Sequence, residues 1–93
     1  MNMEKYLPLG SVVLLNGAKK RVMIIGFMVS SQGAEGKVFD YMGCVFPEGV
    51  ISSEQSLVFN HNQIGQVFCL GYSDDEEKKF RNKLKSLENN KLS

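Results

Sequence analysis

Apolar residues in this chain come in short dense runs separated by polar, glycine-bearing gaps. Val12–Leu15, Val22–Val29, Val38–Phe46 and Val67–Leu70 are each apolar at successive rather than alternate positions. Runs this short, rich in β-branched and aromatic residues, read as strands buried on both faces. The punctuation between them agrees. Tyr6-Leu7-Pro8-Leu9-Gly10 is an extended entry, because Pro8 turns Leu7 away from helix and Gly10 permits a bend. Ser11–Leu15 forms the first strand, and Asn16-Gly17 is a strong hairpin signal. The return strand, Lys20–Val29, carries Gly26 in its middle, which predicts a bulge or a sharp bend.

The stretch Phe39–Gly49 organises the rest. It is a strand that Pro47-Glu48-Gly49 turns tightly, with a glycine placed for φ > 0. Alternation puts Val38, Asp40, Met42, Cys44 and Phe46 on one face and Phe39, Tyr41, Gly43 and Val45 on the other. Neither face is polar enough to stand in water, so this strand belongs mid-sheet. Ser30–Gly36 before it is a polar loop, and Val50–Gln55 after it is a loop or a short helical turn. Ser56–Phe59 is a short strand, Asn60–Gly65 a tight or 3₁₀ turn, and Gln66–Leu70 the last strand, closed by Gly71.

From Ser73 onward the character changes. Ser73-Asp74-Asp75-Glu76 reads as a capping box, followed by a helix over Asp74–Leu87 with acidic residues first and basic ones after. Asp74/Lys78, Asp75/Lys79 and Glu77/Arg81 are i,i+4 pairs in the favourable order. The apolar stripe is narrow: Phe80, Leu84 and Leu87. Met1–Lys5 reads as a loose arm and 89–93 as a frayed tail.

The expected fold is therefore one mainly β (α+β) domain over 1–93, with the sheet at 6–72 and the helix at 73–88. Close strand spacing favours a small, strongly bent five-stranded antiparallel sheet or SH3-like barrel with one C-terminal helix; the barrel is the first choice, and a four- or five-stranded antiparallel sheet with the helix across one face is the second. Either leaves a covering problem. A helix about 10 Å wide spans roughly two strands at about 4.8 Å spacing. Some apolar surface should stay exposed, and each such side chain contributes roughly 1.5–3 kcal/mol when a partner buries it. This predicts a protein-binding module, joined to another protein or to a second copy of itself, with Phe39, Asp40, Tyr41, Phe46, Phe80, Leu84 and Leu87 as candidate partner-binding residues.

Bulk composition adds little. Apolar content of 43%, charged content of 23% and net charge +1 describe an ordinary globular chain with no overall pull toward nucleic acid or anionic lipid. No apolar run is long enough for a membrane span, and the N-terminus lacks the pattern of a secretory signal, so a cytoplasmic protein is expected. Cys44 and Cys69 sit in apolar runs and read as a reduced, buried pair without metal-ligand spacing. His61, the only histidine, lies among turn-forming asparagines and reads as structural. Asp40 interrupts an apolar strand; it either bonds backbone N–H groups or a lysine, or faces a partner. Lys19-Lys20-Arg21, with Tyr41, Phe46 or Phe68, could imitate an RNA-binding barrel, but three clustered charges read more simply as a solvated hairpin tip. No residues assemble into a catalytic, cofactor or metal constellation.

Several stretches together carry a family likeness: Tyr6–Leu15, Met23–Phe27, Phe39–Gly49, Phe59–Ile64 and Val67–Tyr72. They resemble a DUF family of short proteins from Gram-positive bacteria, encoded beside LXG-domain toxins of the type VII secretion system. Asn62 stands where that pattern suggests an acidic residue. The resemblance implies a non-enzymatic cytoplasmic accessory protein, an adaptor, chaperone or targeting factor that binds an LXG toxin alongside small helical partners. It transfers no binding residues. Immunity to the toxin and RNA binding are the competing expectations.

Overall fold

The computed structural model describes residues 5–30, 37–52 and 56–92, with side chains through Glu88. Five strands precede one helix: β1 (Val12–Leu15), β2 (Val22–Ser30), β3 (Val38–Val45), β4 (Leu57–Phe59), β5 (Ile64–Cys69) and α1 (Asp75–Leu92). A single 3₁₀ turn, His61–Gln63, joins β4 to β5. All neighbours are antiparallel, in the order β4-β3-β2-β1-β5. The chain meanders from β1 to β4, then returns so that β5 pairs with β1. The short turn before the last strand is the one anticipated from the sequence. Among the described residues no ladder joins β4 to β5, so the sheet is bent but not closed into a barrel.

The bend has local causes. β2 shifts register against β3 between Ile24 and Gly26, the bulge its glycine predicts. β1 shifts twice against β5, between Val12 and Val13 and again between Leu14 and Leu15. Gly17 and Gly49 take φ of 77° and 80° in the two turns anticipated for them. The Phe46–Pro47 peptide is cis. Gly43 has a different role. A Cβ there would lie 2.5 Å from Val22 Cγ1 and 3.0 Å from Phe59 Cε1. Its bare backbone lets side chains of β2 and β4 meet across β3.

β3 does lie inside the sheet, between β2 and β4. The core gathers Tyr6, Leu7, Val13, Val22, Ile24, Tyr41, Phe59 and Ile64, with Leu84 alone coming from α1. Tyr6 is held there at φ 65°, a conformation that costs a non-glycine residue energy.

Four expectations need correction. The helix cap is Asp74, whose Oδ1 accepts the Glu77 N–H at 2.9 Å; Ser73 Oγ instead donates to Glu77 Oε1 at 2.5 Å. The cap thus moves one residue, and Glu77 meets Arg81 Nε at 2.6 Å as the i,i+4 pairing anticipated. The helix also continues to Leu92, past the tail expected to fray from Asn89. Lys5 is no loose arm: its ammonium pairs with Glu88 and, at 3.2 Å, with Asp40. Finally, Cys44 is buried but Cys69 is exposed, because it ends an edge strand; both are free thiols. Of the expected loops, 31–36 and 53–55 lie outside the described residues, as does 1–4 of the arm.

Candidate functional site

Two arrangements stand out, one closed and one open. The closed one centres on Tyr41, which is fully buried. Its hydroxyl accepts hydrogen bonds from the backbone N–H of Tyr6 at 2.9 Å and of Leu7 at 3.1 Å. It also stands 2.8 Å from His61 Nδ1. Asp40, the residue before it, takes the His61 backbone N–H on Oδ2 at 2.8 Å, and its own N–H donates to Asn60 Oδ1 at 3.1 Å. One short stretch of β3 therefore fixes the N-terminal arm and the 3₁₀ turn together.

Electrostatics tighten this knot. Burial pushes the Tyr41 phenol up, against the pull of the two backbone N–H groups. Burial also drives Tyr6 up to about 12, helped by the nearby Glu88 carboxylate. Burial works against the Lys5 ammonium, yet Glu88 and Asp40 outweigh it and its pKa rises. Asp40 thus does what the simpler reading of it required: it bonds a backbone N–H and a lysine.

The open arrangement is a groove of about 440 Å³ between the N-terminal arm and the start of α1. Leu9, Phe27, Tyr72 and Phe80 line it, with Asp74, Glu76 and Glu77 at its edge. Phe27 and Phe80 pack at 5.9 Å between ring centroids, which forms its floor. The lining is exposed: Tyr72 is 81% accessible, Leu9 52% and Phe80 47%. The close approach of two backbones builds the wall. A Cβ on Gly71 would fall 1.8 Å from the Leu9 carbonyl oxygen. Buried Ser11 seals the seam, its hydroxyl donating to the Pro8 carbonyl at 2.7 Å and accepting the Gly71 N–H at 3.0 Å.

Of the residues proposed from sequence, Phe80 alone lines the groove. Leu87 is also exposed but is not part of the groove lining. Tyr41 and Leu84 are core residues, so neither presents a side chain to a partner. For Tyr41 the run of apolar residues in β3 hid this, because it shows no alternation of buried and exposed positions. Phe39 and Asp40 are half-buried on β3, and Phe46 lies under the Arg21 guanidinium at 5.1 Å. Leu9, Phe27 and Tyr72 were missed. Tyr72 follows the strand, where an apolar run had already ended at Gly71, and Leu9 sat in a segment read only as an entry.

The basic hairpin tip is engaged locally. Lys20 pairs with Glu48 at 2.7 Å and holds its carboxyl below the usual range. Arg21 lies over Phe46 and, at 6.0 Å, over Phe68. Among the described residues no group of three histidine, cysteine or acidic side chains is placed to hold a metal ion, and no helix is long and apolar enough to cross a membrane.

The fold and the groove define a small, bent-sheet domain with a C-terminal helix and an exposed apolar recess. The chain belongs to the domain of unknown function DUF4176, whose family model matches residues 6–80. That span begins at Tyr6 and ends at Phe80, so it takes in the groove. No curated protein and no solved structure matches the chain.

Proposed function

We propose that this protein is a non-enzymatic adaptor, a chaperone or targeting factor that binds an LXG-type toxin for type VII secretion in the cytoplasm, beside small helical accessory proteins. The observation that carries this reading is apolar side chains left in water. Tyr72, Leu9 and Phe80 stay substantially exposed around one recess while the core is complete without them. Phe68 and Leu70 add exposed apolar surface just before Tyr72. Surface of that kind marks contact with another protein. Membership of the DUF4176 family supports the reading, since the sequence blocks that resemble the toxin-associated family fall within the matched span.

Co-expression with an LXG-domain toxin from the same genome, followed by size-exclusion chromatography, tests it. A co-eluting complex that depends on the toxin's N-terminal LXG region is expected. Failure to form any complex overturns the reading. Protection of cells from the toxin's active domain, with export untouched, replaces it with immunity.

A further inference from the structure

We infer that the groove formed by Leu9, Phe27, Tyr72 and Phe80 takes the apolar face of a positively charged amphipathic helix. This rests on the reading of the protein as a binding module and adds the surface and the chemistry of the guest.

Three observations select that occupant. The first is the recess itself, whose floor and walls are four apolar side chains. At about 440 Å³ it is at the small end for a whole ligand and suits a few side chains presented by a larger partner.

The second is charge. Asp74, Glu76 and Glu77 form one edge. Glu77 is matched by Arg81, but among the described residues no cation pairs with Asp74, Asp75 or Glu76. The α1 N-terminus offsets part of that charge, not all of it. A guest bearing lysine or arginine beside its apolar face therefore complements this edge, and an acidic one is repelled.

The third is backbone satisfaction. Along the wall, the N–H groups of Gly10, Ser11 and Gly71 are already bonded, to the Ile24 carbonyl, the Pro8 carbonyl and the Ser11 hydroxyl. The opposite wall is a helix. These three N–H groups have nothing left to offer a guest strand. A guest helix carries its own backbone bonds and needs only the side-chain recess.

The test uses a synthetic peptide of leucine and lysine spaced as an amphipathic helix, and a counterpart with glutamate at every lysine. Binding to the full chain is followed by calorimetry and by amide chemical shifts. The lysine peptide should bind, shift Leu9, Tyr72 and Phe80, and weaken as salt rises. Tyr72→Ser and Glu76→Lys lie on exposed side chains, and each should weaken it about tenfold with an otherwise unchanged amide spectrum. Glu76→Lys should also bring the glutamate peptide up toward the lysine one. Equal binding of both peptides to the native chain, shifts confined to another face, or no response to either substitution overturns the inference. So does concentration-dependent self-association that Tyr72→Ser abolishes, since the groove would then belong to a second copy. A toxin complex that survives both substitutions, with no peptide binding, removes this inference and leaves the adaptor reading standing. Peptide binding at the groove without any toxin complex does the reverse.

Discussion

The hydroxyl of Tyr41 donates its proton to Nδ1 of His61, 2.8 Å away. The direction follows from valence. Two backbone N–H groups, of Tyr6 and Leu7, already point at that oxygen, so its one hydrogen is left for the imidazole. The histidine is thereby held with Nδ1 as acceptor, and a turn between β4 and β5 is tied to the N-terminal arm through one phenol.

Tyr41→Phe should therefore be costly despite its conservative shape. Two buried N–H groups lose their acceptor at about 1–3 kcal/mol each, so a loss on the order of 3 kcal/mol is expected. The measurement is the urea midpoint, which should fall with little change in slope. A midpoint equal to the native one would mean the arm has other anchors.

Alkaline pH should unfold the protein early. Tyr6 titrates at about 12 in the folded chain against an ordinary 10.0, and Tyr41 is also raised. Both phenols are held neutral, so the folded state keeps their full contribution below pH 10.0 and loses it as pH climbs toward about 12. The raised Lys5 ammonium acts in the same sense at high pH. Melting temperatures across that window should drop, and Tyr6→Phe should shallow the slope.

The two helix residues Leu84 and Phe80 separate cleanly. Leu84 is 5% exposed and Phe80 47%. Leu84→Ala should cost about 2–5 kcal/mol, as core truncations do, while Phe80→Ala should cost far less. If Phe80→Ala unfolds the chain, its contact with Phe27 belongs to the core and not to a binding wall.

Alanine at three glycines should rank by what each Cβ meets. Gly17 has nothing within 4 Å but a φ of 77°, so Gly17→Ala should cost about 1 kcal/mol or a little more. Gly43→Ala pushes Val22 and Phe59 apart and should cost about 1–3 kcal/mol. Gly71→Ala meets backbone at 1.8 Å and should be the worst. Thermal melts of the three give the order directly.

Asp40 offers a graded series. Lys5→Met removes two partly exposed ion pairs, with Asp40 and Glu88, and should cost about 1 kcal/mol. Asp40→Asn keeps an acceptor for the His61 N–H and should behave similarly. Asp40→Ala strips that acceptor away and should cost clearly more than either.

Much of the architecture was legible because turn chemistry is local. Asn16-Gly17, Gly26 and Pro47-Glu48-Gly49 each mark the feature observed there, and the i,i+4 pair Glu77–Arg81 forms. What stayed hidden depends on the return of β5 to β1. Nothing in Gln66–Leu70 says that this strand forms an edge, so the exposure of Cys69 and Phe68 could not be read. The same return brings Gly71 against Leu9 and creates the groove. Successive apolar residues in β3 likewise gave no means of telling Tyr41, which is buried, from a residue facing a partner.

The seam at Ser11 and Gly71 joins positions 60 residues apart in the chain. Leu9 and Tyr72 flank it, so the two segments of that wall are fastened to each other as soon as the chain has folded. The cost of ordering that wall is met in folding, so the recess needs no rearrangement to take its shape.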